Sequence, residues 1–281
     1  MTPTIEIQDT SPTIEIQNVC FSHTPTSQIF NNLNLSFAPG ACAIVGQNGT
    51  GKTTLLKILR GLLTPKSGSV LLNGKDISEC TVPSLAKDIG FVFQNPDDQI
   101  FESTVIREVM FGLLKIGIDK SQALIQAKES LKLVGLLDKS DLNPYDLSLC
   151  ERKMVSIASI LAMDTQVVIL DEPTIAQDDC GKNCIESIIK HLVLQGKTVI
   201  AVLHDMNFVA RVFNRVVVLS NGKVLFDGTA RDAFRQDNIL SSAQLDKPDV
   251  VKLCEKLGYK NAFLSVEEFV NSYSERNNRR Y

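Results

Sequence analysis

The eight residues Gly46-Gln47-Asn48-Gly49-Thr50-Gly51-Lys52-Thr53 constrain this chain more than any other segment. They follow a short, wholly apolar run, Ala41-Cys42-Ala43-Ile44-Val45, and open a stretch from Lys52 to Leu63 that reads as a helix. The apolar run suits a buried parallel strand. G-x-x-x-x-G-K-[ST] between such a strand and a helix is the pattern of a loop whose backbone N–H groups turn inward around phosphate oxygens. The helix N-terminus adds positive potential at the same place. Lys52 is expected to reach the β- and γ-phosphates of a nucleotide. The Thr53 hydroxyl is expected to coordinate Mg²⁺, and Thr54 completes the predicted phosphate-binding set.

The rest of the chain alternates strand and helix signals. Val167-Val168-Ile169-Leu170, Thr198 to Leu203 and Arg215 to Leu219 read as further strands with helical runs between them, which predicts a mostly parallel α/β sheet. Ser103 to Met163 breaks this rhythm, is nearly all helical, and reads as an inserted helical subdomain. At the N-terminus Thr2-Pro3-Thr4-Ile5-Glu6-Ile7-Gln8 is nearly repeated as Ser11-Pro12-Thr13-Ile14-Glu15-Ile16-Gln17. Both copies alternate like a strand. The second leads into Val19 and Phe21, so it is expected to be the first strand of an antiparallel N-terminal subdomain. The expected division is an extension over 1–11, a main domain over 12–240 holding the helical subdomain at about 95–163, and a helical extension over 241–281. Two weakly amphipathic helices, Asp249 to Leu257 and Ser265 to Tyr273, are predicted in that last part.

A formal net charge of -3 argues against a broad basic surface that grips nucleic acid, and leaves a focused nucleotide site open. No apolar run approaches the ~20 residues needed to cross a bilayer, and Met1 to Ser11 carries no signal-peptide pattern. Seven scattered cysteines without metal-ligand spacing are expected to be reduced and mostly buried.

Val167 to Leu170 ends in Asp171-Glu172, a carboxylate pair at the exposed end of a buried strand. Asp171 is expected to hold the Mg²⁺, and Glu172 to act as general base on an attacking water. Gln94 follows the apolar run Ile89-Gly90-Phe91-Val92-Phe93, where an amide can reach metal and water from the side. His204 follows Thr198 to Leu203, where an imidazole can donate to the γ-phosphate. Each of the last three signals is weak alone, since many strands end in a polar residue.

Taken in order, the loop, glutamine, Asp-Glu strand and histidine resemble the ATP-binding cassette of ABC transporters, from about Thr13 to the end of the chain. Phe91-Val92-Phe93-Gln94-Asn95-Pro96-Asp97-Asp98-Gln99-Ile100-Phe101 with Thr104-Val105, and Leu264-Ser265-Val266-Glu267-Glu268-Phe269, are similar to segments of energy-coupling factor ATPases. The resemblance implies the P-loop NTPase fold, ATP and Mg²⁺, hydrolysis of ATP coupled to transport, and a place at the cytoplasmic face of the membrane. It also implies a second ATPase subunit, a transmembrane coupling subunit and a substrate-binding membrane subunit. The segment Gln94 to Phe101 is expected to receive a short helix of the coupling subunit, with Ile100 and Phe101 as apolar contacts and Asp97 and Asp98 meeting basic residues. Whether the cargo is a metal ion or a vitamin stays open, as do a partner subunit with little turnover of its own and a soluble non-transport ABC ATPase.

The sequence departs from the family in four places. The signature, Leu-Ser-Gly-Gly-Gln in the family, reads Leu147-Ser148-Leu149-Cys150-Glu151. In the family this segment clamps the nucleotide held by the opposite subunit. Leu149 and Cys150 add Cβ atoms there, Glu151 is expected to bring negative charge toward a phosphate, and Ser148 keeps one donor. His23 stands where a tyrosine usually stacks on adenine. Ile175-Ala176-Gln177-Asp178 replaces the usual Ser/Ala-Gly-Leu-Asp while keeping Asp178 for the cross-dimer contact. Met154 replaces the arginine after the signature. A complete phosphate loop with a damaged signature favours a heterodimer with a normal paralogue.

Overall fold

The computed structural model describes residues 13–24, 26–259 and 262–278. In chain order its strands are β1 (Ile14–Ser22), β2 (Gln28–Phe37), β3 (Gly40–Val45), β4 (Ser67–Leu72), β5 (Lys75–Asp76), β6 (Ile89–Val92), β7 (Val167–Asp171), β8 (Thr198–Val202), β9 (Arg215–Ser220) and β10 (Lys223–Thr229). The helices are α1 (Lys52–Leu59), α2 (Val82–Leu85), α3 (Val105–Lys115), α4 (Lys120–Leu133), α5 (Leu149–Ala162), α6 (Asp179–Leu194), α7 (Met206–Val212), α8 (Ala230–Ala233), α9 (Asp237–Ser242), α10 (Asp249–Lys256) and α11 (Val266–Asn278).

The strands form two sheets. β2-β1-β4-β5 is antiparallel, and β10-β9-β3-β8-β7-β6 is parallel except for the β9–β10 hairpin at its edge. This is the P-loop core with an antiparallel subdomain. The helices α3, α4 and α5 lie between β6 and β7 in the chain and pack on one another, forming the inserted helical subdomain. The second copy of the duplicated segment runs into β1; the first copy, Thr2 to Gln8, lies outside the described residues.

All five residues of β7 are buried, because helices or the second sheet cover both faces. Period-two alternation divides its side chains between two cores. Val167 and Ile169 pack with Leu55, Leu56 and Ile58 of α1 and with the antiparallel sheet. Val168 and Leu170 pack with Val155 and Ala158 of α5 and Ile185 and Ile189 of α6. β7 is thereby pinned from both sides, and its C-terminal carboxylates emerge at a fixed place.

Several expectations need correction. The helix predicted over Lys52 to Leu63 ends at Leu59, where Gly61 takes a left-handed φ of 68° and reverses the chain. Two helices that the sequence does not predict, α8 and α9, lead into the tail and are too short to show a period. Helix α10 is strongly two-faced, burying Val250, Val251 and Cys254 and exposing Glu255 and Lys256. Phe269 of α11 packs its ring 5.3 Å from Tyr259 and 5.8 Å from Phe263, which docks the tail. All seven thiols are free, but only Cys42 and Cys254 are buried; Cys80 and Cys180 are exposed. Among the described residues no helix is long and apolar enough to cross a membrane.

Candidate nucleotide and metal site

The loop Gly46 to Gly51 leaves β3 and enters α1 through Gly51, which caps the helix at a left-handed φ of 102°. A Cβ on Gly46 would lie 2.1 Å from the Leu219 carbonyl oxygen, and one on Gly51 2.9 Å from the Phe30 ring, so both positions need glycine. The loop curls around Lys52, whose Nζ donates to Gly46 O at 2.6 Å and Gln47 O at 2.7 Å. Thr50 Oγ1 donates to Gln47 O at 2.8 Å and braces the turn. Gln47, Asn48, Gly49 and Thr53 face solvent, and Thr54 is half-buried. His23 is exposed beside the loop, 3.5 Å from Thr54 Oγ1, with its ring edge-on to Phe21. Gln47 also meets Gln244, which sequence reasoning missed because the two lie far apart in the chain.

The strand-end carboxylates sit beside this loop. Glu172 accepts from Gln94 Nε2 at 3.2 Å on one oxygen and lies 3.2 Å from His204 Nε2 on the other. Three strand ends, those of β6, β7 and β8, thus converge on one carboxylate. Glu172 holds a left-handed φ of 46°, unusual for a residue with a Cβ, and its N–H donates to Val202 O at 3.0 Å. Strain of this kind is characteristic of functional positions. Asp171 is 7% exposed. Burial, and then the neighbouring charge of Glu172, push its carboxyl up to about 6, against the opposing pull of Lys153, Lys52 and Arg60. Burial lowers the pKa of Lys52, while Glu172 and Asp171 oppose that.

The Thr53 hydroxyl, the Gln94 amide and the Asp171 carboxylate are all oxygen donors, as a hard cation requires. No group of three or more His, Cys, Asp or Glu side chains able to hold a metal occurs among the described residues. A Mg²⁺ ion keeps water and substrate phosphates as ligands and needs no all-protein cage. A cation here would also offset the cost of burying the Asp171 charge.

The segment after Gln94 is bound to the helical subdomain. Asp97 pairs with Arg152 at 3.2 Å, so it is engaged within its own chain and not left facing a basic partner. Ile100 is buried at 2% exposure, contrary to the expected contact role, while Phe101 stays open and packs edge-on against Phe111. The alternation of a loop gave no guide to which of the two neighbours faces the core. Asp98 is exposed.

The signature segment also corrects the sequence reading. Ser148 caps α5, and Glu151 folds back to accept from Ser148 N at 3.0 Å and Ser148 Oγ at 2.9 Å in a capping box. Lys139 pairs with the same carboxylate. The hydrogen bond from Lys139, then those from Ser148, hold the Glu151 carboxyl down at about 2. Its charge is spent inside the chain and is not aimed at a phosphate. The one donor the segment kept, the Ser148 hydroxyl, is occupied as well. Leu149 stands exposed, and Cys150 Sγ contacts Ala176 O. Asp178 caps α6 by accepting from Gly181 N at 2.8 Å, and Ala176 adopts a φ of 59° where the family has glycine. The structure brings Gln94, Glu172 and His204 together around the loop and sets Ser148 to Glu151 at the start of α5, with Cys150 against the loop that ends in Asp178.

The raised pKa of Asp171 has a testable sign. A neutral Asp171 favours the folded state below about pH 4, and this advantage is lost as pH rises through about 6. Without nucleotide or Mg²⁺, the ionised group then costs on the order of 2–3 kcal/mol. Asp171→Asn is expected to stabilise the ligand-free chain near pH 8, with a gain that shrinks toward pH 4, measured by urea unfolding in EDTA. A gain independent of pH would contradict the assignment.

The profile of the ABC transporter family matches residues 30–175. A putative ABC transporter ATP-binding protein of Pyrococcus furiosus is 40% identical over 257 residues, covering 92% of this chain and 98% of that protein. The energy-coupling factor transporter ATP-binding protein EcfA1 of Methanospirillum hungatei is 40% identical over 257 residues, covering 90% and 92% respectively. Among solved structures, cbiO1 of Clostridium perfringens, part of the cbiONQ ABC transporter complex, superposes with a TM-score of 0.75 at 29% identity, covering 87% of this chain and 99% of that one. A cassette dimer bound to ADP and Pi superposes at 0.71 with 28% identity, covering 78% of this chain and 99% of that one. The strand–loop–helix, the carboxylate pair and a likeness that runs through both sheets and the helical insertion have one explanation: the chain belongs to the ABC transporter family, as an ATP-hydrolysing subunit of the energy-coupling factor type.

Proposed function

We propose that this chain is one of two unlike ATPase subunits that power an energy-coupling factor importer for a metal ion or a vitamin. It works at the cytoplasmic face of the membrane, bound to a transmembrane coupling subunit and a substrate-binding membrane subunit. The observation that carries this reading is the contrast between the two halves of its surface: Glu172 is bracketed by Gln94 and His204, while the Ser148 hydroxyl is tied to Glu151.

The catalytic half supplies each role that phosphoryl transfer to water requires. The loop amides and Lys52 hold the β- and γ-phosphates of ATP, and His23 lies against the base. Thr53, Asp171 and Gln94 are the groups that would hold Mg²⁺, which when bound neutralises charge on the phosphate oxygens. Glu172 accepts the proton of the attacking water. His204 fixes the Glu172 carboxylate from one side and Gln94 from the other, so the base is oriented before the water arrives. The intact Glu172 and His204 favour this reading over a partner subunit that only binds ATP.

The signature half is different. In a dimer it would face the nucleotide held by the other subunit, presenting Leu149, Cys150 and an engaged Ser148. Loss of such preorganised donors costs on the order of a hundredfold in rate. A partner with an intact signature would complete the site built on Lys52, while the opposite site would turn over slowly. Asp178 remains for the contact across the dimer. Substrate choice resides in the membrane subunits, so metal ion and vitamin both stay within the proposal.

Two sets of variants test this. Lys52→Ala is expected to remove most ATP affinity, and Glu172→Gln to bind ATP normally but release no phosphate above background. Wild-type hydrolysis by Glu172→Gln would show that another group is the base. Replacing Leu149, Cys150 and Glu151 by Gly, Gly and Gln is expected to raise the ATPase rate of the purified chain alone, by up to about a hundredfold. Equal and brisk hydrolysis by variant and wild type would show that the altered signature is harmless and that a homodimer suffices.

A further inference from the structure

Helix α5 carries a charge on its buried face. Lys153 is 1% exposed and lies in a run of buried residues, Met154, Val155, Ile157 and Ala158. A lysine buried to this extent persists only when its ammonium is paired or hydrogen-bonded. Lys153 Nζ donates to Phe93 O at 2.7 Å and also to Gln94 O. Those two carbonyls directly follow β6, and the charges of Asp171 and Glu172 act on the same ammonium.

Four further contacts join the same loop to the same helical subdomain. Gln99 donates to Ser156 O at 3.1 Å and Ser159 Oγ at 3.2 Å, and accepts from Phe93 N at 3.2 Å. Arg152 pairs with Asp97, and Tyr145 OH donates to Ile100 O at 2.8 Å. The Gln94 side chain runs the other way, out to Glu172 on the parallel sheet. Gln94 is therefore held by its backbone from α5 and by its amide to the core. Lys153 is the residue that grips its carbonyl. Ser148, the cap of α5, lies five residues earlier on the same rigid helix, about 7.5 Å along its axis.

We propose that Lys153 is a positioning residue for hydrolysis: by binding the Phe93 and Gln94 carbonyls from α5, it sets the backbone from which Gln94 reaches Glu172. The seating of α5, whose first turn carries the signature, is thereby transmitted to the reaction centre of the same subunit. The two sites of a dimer are then linked through one helix and one ammonium. This rests on the reading of Gln94 as a side chain that serves the metal and the water. The role needs donors on a long stem, so arginine can fill it and methionine cannot.

The test uses the full chain in the complex with which it purifies. Turnover, binding of a fluorescent ATP analogue, and hydrogen exchange of the amides in 93–101 are measured for Lys153→Met, Lys153→Arg, Gln94→Ala, and Lys153→Met combined with Gln94→Ala. Lys153→Met is expected to lower kcat by about tenfold or more with ATP binding within about twofold. It should also speed exchange in 93–101 while leaving β3 and β8 protected. Lys153→Arg should restore both. The double variant should be no slower than the slower single variant, because both changes remove the same positioned amide. Wild-type turnover and exchange in Lys153→Met, or losses that multiply in the double variant, would overturn the proposal. If Lys153→Met does not fold, Lys153→Gln, whose shorter stem cannot reach both carbonyls, carries the same comparison with the same expected losses. A wild-type rate in Gln94→Ala overturns the reading of Gln94 instead, and the exchange data then decide the clamp on their own.

Discussion

The structure depends on a conflict of charge at the end of β7. Two adjacent carboxylates, Asp171 and Glu172, emerge where the strand leaves the interior, and Asp171 is almost fully buried. Burying such a group is costly unless opposite charge lies near. The fold answers with three cations from two helices: Lys52 at the start of α1, Arg60 at its end, and Lys153 on α5 all act on Asp171. Arg60 itself lies over the Phe91 ring, 3.9 Å from its centre, which keeps it at the base of β6. Phosphate loop, β6 and helical subdomain are thus drawn to one point by the same two carboxylates. A nucleotide with its Mg²⁺ adds charges of both signs where the protein has prepared them.

The first turn of α5 has turned its polar groups inward. A capping box is ordinary helix chemistry, and S-x-x-E is its common form. At the start of α5 it has a particular consequence, because the family uses the same hydroxyl to meet the opposite nucleotide. Here the hydroxyl, the glutamate and Lys139 satisfy one another. The chain gains a well-capped helix and gives up a free donor. That trade is tolerable in a dimer where only one composite site must be fast.

Much of this was legible in the chain itself. The phosphate loop is contiguous, and its flanking strand and helix are too, so eight residues were enough to place it. Gln94, Asp171, Glu172 and His204 each follow an apolar run, and parallel strands bring their C-terminal ends to one edge. What was not legible depends on partners distant in sequence. Sequence alone aims Glu151 at a phosphate, whereas Lys139 and the helix cap engage it. Asp97, expected to meet a basic residue of a partner, meets Arg152 of its own chain. Ile100 and Phe101 are adjacent and both apolar, and only the packing tells which one is core. Lys153 carries a signal in the sequence: it heads the run Met154-Val155-Ser156-Ile157-Ala158, and a helical projection sets it on the same face as Ile157, where an apolar residue belongs.

In the proposed dimer this chain contributes one competent catalytic half and one impaired signature half. The most direct measurement is the amount of phosphate formed, counted after acid quench, in the first rapid phase when the purified complex is mixed with excess ATP and Mg²⁺. One phosphate per ATPase dimer is expected, lost when Glu172 of this chain is replaced by glutamine. Two phosphates per dimer, or one that survives that replacement, would contradict it.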